Sequence, residues 1–159
     1  MPRPIYETDS DVEREEWVAQ TLSERWKCND WKRNPSKYPI DISFIRDNQV
    51  VGFAEIKCRN VARQKYDTYM ISADKIVAGI NLAKATNLRC LLVVCWTDAI
   101  GWIDMHKTEP DSIGYGGRLD REDSQDVEPV IYYDINQFNN IKTPLSYWRP
   151  EHRQVCFFH

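Results

Sequence analysis

Residues 41–57 read DISFIRDNQVVGFAEIK, and the alternation of apolar and polar side chains in this stretch predicts a β-hairpin. The apolar faces of its two strands consist of Ile40, Ile42 and Phe44 in the first strand and of Val50, Gly52, Ala54 and Ile56 in the second. Because side chains alternate between the two faces of a strand, Asp41, Glu55 and Lys57 lie on the opposite faces. The hairpin is therefore expected to bring two acids and a lysine together.

The length of the turn decides which residues face each other across this hairpin. A three-residue turn at residues 47–49 sets Asp41 opposite Glu55. A two-residue turn sets Asp41 opposite Ala54 instead. Two carboxylates that face each other, with Cβ atoms about 4.5–5.5 Å apart, repel unless a cation lies between them. Mg²⁺ or Mn²⁺ suits this position, because a hard divalent cation takes oxygen ligands and needs only one or two carboxylates.

Lys57 points the same way as Glu55, since the two residues are separated by one position on the same strand. Lys57 could orient an attacking water or offset charge on a phosphorane-like transition state. The backbone carbonyl of Ile56 is a candidate for a further metal ligand. An E-x-K tripeptide alone more often marks a solvated strand face, so the interpretation as a metal-dependent nuclease site also depends on the segment upstream.

Residues 11–27, DVEREEWVAQTLSERWK, carry apolar side chains at spacings of three and four, which predicts an amphipathic helix. Asp9 or Ser10 is its candidate N-cap. Glu15 lies in the apolar stripe that must pack against the sheet, where a carboxylate needs a cation or a donor. Glu15 is therefore predicted as the third acid of the site. If Glu15 instead reaches solvent from the margin of the stripe, Glu16 takes this place.

The order of a helix with Glu, a strand with Asp and a strand with Glu-x-Lys resembles the PD-(D/E)XK nuclease superfamily. Within it, the sequence is most similar to archaeal-type Holliday junction resolvases. The letters Glu13-Arg14-Glu15 match the E-R-E element that opens the first helix of that group, and Pro39-Ile40-Asp41 matches its proline–aspartate pair with one residue inserted. The resemblance covers roughly residues 9–106 and rests on the ordered set of motifs.

This resemblance implies a restriction endonuclease-like fold of the α/β class, with a central mixed β-sheet flanked by helices in the order αβββαβ. It also implies that Asp41 and Glu55 bind the metal and that Lys57 assists catalysis. Glu15 would support the metal or its water.

The remaining core segments follow this order. Ser72-Ala73-Asp74 begins a second helix that extends to about Ala85, and the apolar run from Arg89 to Trp96 predicts a strand buried on both faces. Residues 100–105 predict a further strand at the edge of the sheet. Lys75, one turn into the second helix, is a candidate phosphate contact, although a solvent-exposed helix lysine is the favoured interpretation.

The net charge of −3 argues against a nucleic-acid binder, but the charge is unevenly distributed along the chain. From Arg25 to Lys65, ten basic residues stand against four acidic ones, so this segment has a net charge of +6. The predicted nucleic-acid contacts are Lys32, Arg33, Lys37, Arg59, Arg63, Lys65 and, from the second helix, Lys75. Trp31, Tyr38, Tyr66 and Tyr69 lie among these bases and could stack on unpaired nucleobases. A solvated loop is the alternative interpretation of this segment.

The 159 residues, of which 42% are hydrophobic, are enough for one domain with a core and too few for two. Within this single domain, residues 1–159, the sequence predicts an irregular acidic loop at about residues 106–128 and an aromatic tail at about 141–159. The loop could contact a protein partner. The tail could close the core or form the contact of a homodimer.

The sequence has no N-terminal signal pattern, and its longest apolar run, CLLVVCW, is too short to span a bilayer. Five cysteines without a C-x-x-C pair support neither a disulfide framework nor an iron–sulfur cluster. We therefore expect a soluble, intracellular protein of the cytoplasm that makes no membrane contact.

These patterns predict a Mg²⁺-dependent phosphodiesterase, an endonuclease that acts on DNA. Selectivity for junctions or branched DNA rests on fold-level analogy and would require a symmetric homodimer. The alternative function is a non-catalytic module on the same fold that binds nucleic acid or protein. The intact set of Asp41, Glu55 and Lys57 counts against that alternative.

Overall fold

The computed structural model describes residues 9–117 and 127–141, which form two α-helices and nine β-strands. The helices are α1 (Asp9–Arg25) and α2 (Ala73–Thr86). The strands are β1 (Asp30–Arg33), β2 (Ile42–Arg46), β3 (Gln49–Cys58), β4 (Thr68–Ser72), β5 (Arg89–Cys95), β6 (Ile100–Asp104), β7 (Ser112–Gly117), β8 (Val127–Asp134) and β9 (Asn139–Ile141).

The strands form two sheets. Six of them make a central sheet in the order β1-β2-β3-β5-β6-β9, and three make a smaller sheet in the order β4-β8-β7. In the central sheet β3 and β5 run parallel, whereas all other neighbours are antiparallel. The predicted α/β class with a central mixed sheet is confirmed. The series α1-β1-β2-β3-α2-β5 reproduces the expected order αβββαβ, while β4 belongs to the smaller sheet.

Each face of the central sheet is covered by a hydrophobic core of its own. On one face α1 contributes Trp17, Val18, Ala19 and Leu22, which share a cluster with Ile42, Phe44, Ala54 and Ile56 of the hairpin. The other cluster joins residues of α2 and the smaller sheet to the central sheet, among them Ile71, Ile76, Ala83, Tyr133, Phe53, Leu92 and Val94. Residues of β5 occur in both clusters, which confirms the prediction of a strand buried on both faces.

The β2–β3 hairpin has a two-residue turn. Asp47 and Asn48 both have positive φ, 51° and 63°, as hairpin turns of this length require. Arg46 pairs with Gln49, so the predicted three-residue turn at 47–49 is wrong. An asparagine in this conformation is common because its short polar side chain tolerates the left-handed region.

A β-bulge then compensates for the shorter turn. Ile45 pairs with Val50, but the next pair is Phe44 with Gly52, so Val51 is the extra residue on β3. Beyond the bulge the register places Ile42 opposite Ala54. Asp41 directly precedes this pair and Glu55 directly follows it, and the two acids are close enough for the charge of Asp41 to act on Glu55.

The bulge also changes the apolar face of β3. Val50 is 41% exposed, whereas Val51 packs against the core beneath α1, so the predicted assignment of Val50 to the apolar face is wrong. Ile40 likewise belongs to the core on the α2 side, although Ile42 and Phe44 face α1. The reason for the second difference is that Ile40 precedes β2, where strict alternation no longer applies.

Three further predictions differ from the structure: the bounds of the first helix, the edge position of the strand at 100–105, and the loop at 112–117. Helix α1 ends at Arg25, because Lys27 has φ 56°. The candidate N-caps Asp9 and Ser10 lie within α1 and not before it, so the predicted N-cap is wrong. Strand β6 is not the sheet edge, since β9 pairs with it. Residues 112–117, predicted as part of an irregular loop, form strand β7 paired with β8. The rest of that loop at 118–126, and the tail at 142–159, lie outside the described residues.

Neither helix in the described part of the chain combines the length and the apolar character needed to cross a bilayer.

Candidate functional site

Glu55 lies at the centre of a charged cluster beneath α2. Its side chain is fully buried, and its Oε2 atom is 3.3 Å from Nζ of Lys57 and 3.2 Å from Nζ of Lys75. Among the described residues, no hydrogen-bond partner meets the buried Oε1 atom. In the described part of the chain, one oxygen of this carboxylate therefore faces two ammonium groups, while the other has no hydrogen-bond partner.

The electrostatics of Glu55 reflect this arrangement. Burial raises the pKa of Glu55, and the nearby charge of Asp41 raises it further, while Lys57 and Lys75 counteract the rise. The net pKa of Glu55 lies above its ordinary value of 4.5. Burial opposes the charged form of Lys57, but the charges of Glu55, Tyr69 and Asp41 outweigh it, so the pKa of Lys57 is raised. Lys57 is therefore an ammonium ion at neutral pH.

The position of Asp41 is fixed by hydrogen bonds to the backbone carbonyls of residues 39–41. Asn34 donates two of these hydrogen bonds. Its backbone N–H donates to the Asp41 carbonyl (2.7 Å), and its Nδ2 donates to the Ile40 carbonyl (2.8 Å). Nζ of Lys75 donates to the Pro39 carbonyl at 2.8 Å. The segment 39–41 is thus fixed from β1 on one side and from α2 on the other.

The strand pairing leaves one edge of β3 uncovered beside the two acids. Pairing with β2 ends at Ile42–Ala54, whereas pairing with β5 continues as far as Cys58–Cys95. From Glu55 onward, β3 therefore pairs with β5 on one side, and no strand among the described residues pairs with its other side. A strand edge of this kind presents unpaired backbone N–H and C=O groups. The Ile56 carbonyl can act as a metal ligand only if it belongs to such an edge.

The residues present fit a hard divalent cation. Asp41 and Glu55 supply two carboxylates, which is the number Mg²⁺ commonly takes from a protein. Oε1 of Glu55 is a buried acceptor with no hydrogen-bond partner among the residues that the structure describes, and such an acceptor needs a positive partner. In the described part of the chain, no group of three His, Cys, Asp or Glu side chains lies close enough to hold a metal. Glu15, the predicted third acid, therefore does not form a three-ligand group with Asp41 and Glu55.

Glu15, the residue predicted as that third acid, is buried, as the position in the apolar stripe predicts. The alternative in which Glu15 reaches solvent is wrong. Its Oε2 atom is 3.2 Å from Nη1 of Arg33 on β1. The cation that meets the buried carboxylate is therefore an arginine of the neighbouring strand. A role of Glu15 in supporting the metal stays a prediction.

Arg14 was not predicted as part of the site, yet its side chain ties α1 to the ends of two strands. Its exposure is 8%, and Nη2 donates to the carbonyls of Arg59 (3.1 Å), Cys95 (3.2 Å) and Trp96 (3.1 Å). Nη1 donates to Oδ1 of Asn60 at 3.0 Å. A signal was present in the sequence, because Arg14 lies four and eight residues before the buried positions 18 and 22 of the same helix face.

Lys75 contacts Glu55 rather than solvent alone, so the favoured interpretation of Lys75 as an exposed helix lysine is wrong. Its position follows from the close approach of α2 to the sheet. At Gly79, one turn later on α2, a Cβ atom would clash with Sδ of Met105. A glycine at this position lets the helix lie close enough to the sheet for Lys75 to reach the buried carboxylate.

The other predicted nucleic-acid contacts fall into two groups. Lys32, Lys37 and Lys65 are exposed. The guanidinium groups are already engaged: Arg33 with Glu15, Arg59 with the Tyr69 hydroxyl (2.7 Å), and Arg63 with the carbonyls of Ile135 and Phe138 (both 3.0 Å). The lysines are therefore available to a phosphate, whereas the arginines shape the protein surface around the site.

A family model described as "Phage putative PDDEXK endonuclease" matches residues 1–141. Among solved structures, the chain is similar to the Holliday junction resolvase Hjc from the archaeal hyperthermophile Archaeoglobus fulgidus, with 15% sequence identity and a TM-score of 0.48. That match covers 76% of this chain and 89% of the resolvase. No curated protein matches the chain.

Proposed function

Because the chain belongs to the family of phage putative PDDEXK endonucleases, we propose that it cleaves the phosphodiester bonds of DNA with the help of Mg²⁺ or Mn²⁺. The observation that carries the metal dependence is the buried carboxylate of Glu55 near Asp41. Its Oε1 atom has no hydrogen-bond partner within residues 9–117 and 127–141. The family supports the nuclease activity. The dependence on a metal and the choice of DNA are the proposed parts.

Asp41 and Glu55 would hold the metal, with the Ile56 carbonyl as a further ligand at the uncovered edge of β3. A bound divalent ion supplies Lewis-acid polarisation of the phosphate and lowers the pKa of water. Lys57 stays protonated because its pKa is raised, so it acts as a donor and a positive charge rather than as a general base. From its position beside Glu55 it can orient the attacking water or stabilise charge on the phosphate.

The exposed lysines extend the site toward the backbone of the DNA. Lys32 and Lys37 lie on β1 and on the segment that leads to Asp41, and Lys65 follows β3. Each contact of this kind neutralises one phosphate and makes binding sensitive to salt. Selectivity for junctions or branched DNA is a finer proposal. It would require two copies of the chain related by symmetry. A measurement of mass in solution tests whether the chain forms a dimer.

Cleavage of labelled DNA tests the proposed function. Linear duplex, single-stranded, flap and four-way junction substrates are incubated with Mg²⁺, with Mn²⁺ or with EDTA, and wild type is compared with Asp41→Asn and Lys57→Ala. We expect cutting that requires the metal and is lost in both variants, because one removes a ligand charge and the other a positive charge at the phosphate. DNA binding without cutting, unchanged by both substitutions, would instead identify a non-catalytic binding module.

Replacing Lys75 with methionine is expected to lower the cleavage rate at saturating Mn²⁺ by roughly 10- to 100-fold. Lys75 holds both Oε2 of Glu55 and the carbonyl of Pro39, so the two acids lose a shared support. The half-saturating Mn²⁺ concentration is expected to fall, since a competing positive charge is removed. The rate of cleavage as a function of Mn²⁺ concentration measures both effects.

Lys84→Met is the matched control for this substitution, because Lys84 is an exposed lysine in the last turn of the same helix. Its rate and metal dependence should equal those of wild type. An unchanged rate for Lys75→Met at saturating Mn²⁺ would show that Lys75 does not position the acids.

A further inference from the structure

A cavity of about 340 Å³ lies where the end of β3 meets the smaller sheet. Its walls include Arg59, Arg63, Tyr66, Tyr69, Met70 and Trp96. Tyr69 and Trp96 are buried, whereas 61% of Tyr66 and 39% of Met70 are exposed. The cavity therefore combines buried aromatic rings with an exposed rim, and its volume falls within the range of ligand sites.

The groups that line this cavity are planar rings and planar cations. The guanidinium carbon of Arg59 lies 5.1 Å from the centre of the Tyr69 ring, and that of Arg63 lies 5.9 Å from the centre of the Trp96 ring. The rings of Tyr69 and Trp96 meet edge to face at 6.4 Å. Flat aromatic groups stack on such rings and guanidinium planes. The positive charge of the two arginines also favours a ligand that carries a negative charge nearby.

The cavity wall begins at Arg59, two residues after the proposed catalytic lysine, Lys57. Arg59 follows Lys57 by two residues at the end of β3, a distance of about 6–7 Å along an extended chain. The Tyr69 hydroxyl accepts a hydrogen bond from Nη2 of Arg59 at 2.7 Å. Tyr69 also lies close enough to Lys57 and Glu55 to interact with both charges. A nucleotide whose phosphate is bound by Lys57 could therefore place its base in this cavity.

We propose that the cavity binds one unpaired nucleobase of the DNA next to the phosphate that is cleaved, with Tyr66 at the rim as a stacking partner. This inference rests on the proposed nuclease function and specifies its substrate class. A base in an intact duplex is stacked and paired, and its removal costs free energy that a bulged or single-stranded base does not require. The protein would therefore favour flaps, bulges and junctions over intact duplexes.

The test measures binding in the Asp41→Asn variant, so that no strand is cut. Fluorescence anisotropy compares an intact duplex, the same duplex with one bulged base, and the same bulge with an abasic residue. We expect the base-bearing bulge to bind about tenfold more tightly than the abasic one, as for stacking of a single base on an aromatic side chain. Tyr66→Ala should abolish this ratio, whereas Tyr66→Phe should retain it because the ring is kept.

Tyr115→Ala is the matched control, since Tyr115 is 72% exposed on β7 and does not line the cavity. The ratio should be unchanged in this variant. Equal binding of the two bulges by the protein, or a ratio that survives in Tyr66→Ala, would overturn the proposal.

Cleavage by the protein with intact Asp41 separates this inference from the proposed function. Metal-dependent cutting without any preference for the base-bearing bulge would leave the nuclease standing and reject the base site. A binding preference that depends on Tyr66, without metal-dependent cutting, would retain the base site and reject the nuclease.

Discussion

Glu55→Gln is expected to lower metal-dependent DNA cleavage by roughly a thousandfold or more. The substitution keeps the shape of the side chain but removes the negative charge that the metal would neutralise. The ammonium groups of Lys57 and Lys75 would then face a neutral amide. Because their positive charges are no longer balanced, they would repel a divalent cation more strongly. The initial rate of cleavage of a labelled substrate at saturating Mn²⁺ measures the loss.

The same substitution should remove the stabilisation of the fold by metal. At a Mn²⁺ concentration 100 times Kd, binding to one site contributes about 2.7 kcal/mol to the free energy of unfolding. We expect this increase in wild type and none in Glu55→Gln. Glu109→Gln is the control, because Glu109 is an exposed glutamate in the segment between β6 and β7. A full increase in Tm with Mn²⁺ in Glu55→Gln would show that the metal binds elsewhere.

Arg14→Met is expected to lower the free energy of unfolding by about 3 kcal/mol. The guanidinium of Arg14 donates to three backbone carbonyls and to Asn60 where α1 meets the ends of β3 and β5. Methionine fills part of the volume but leaves these acceptors without their charged donor. Unfolding in urea, followed by circular dichroism, gives the change.

Two further variants sharpen this prediction. Arg25→Met, an exposed arginine at the end of the same helix, should change stability little. Arg14→Lys should recover only a small part of the loss, because an ammonium group cannot reproduce the fork of the guanidinium. A loss below about 1 kcal/mol in Arg14→Met would mean that water satisfies the carbonyls equally well.

The hairpin shows how far local pattern extends. Alternation predicted that Glu55 and Lys57 share a face and that Ile56 enters the core, because side-chain direction in a strand depends only on the parity of the position. The turn was predicted one residue too long, and the bulge at Val51 was not predicted. Asp41 and Glu55 still lie on either side of the last pair, Ile42–Ala54, because the bulge adds the residue that the turn lacks.

Helix α1 shows where local pattern stops. Periodicity placed Glu15 on the buried side of the helix, and Glu15 is buried. Arg14 is buried as well, although the predicted apolar stripe did not include it. Periodicity could not identify their partners, because Arg33 and the carbonyls at Cys95 and Trp96 come from distant parts of the chain. The partner of a buried charge is decided by which strand lies beside the helix.

The sequence by itself determined the presence of helices α1 and α2, the strand β5 that is buried on both faces, and the presence of Asp41, Glu55 and Lys57 in one hairpin. These properties depend on residues that are near one another along the chain, where periodicity and turn chemistry act. Only the tertiary structure decided that Lys75 contacts Glu55, that Arg33 contacts Glu15, and that aromatic rings and arginines line a cavity where the end of β3 meets the smaller sheet. The physical reason is that these contacts depend on how closely α2 and the smaller sheet pack against the central sheet, and close packing at positions such as Gly79 is a property of two surfaces rather than of one segment.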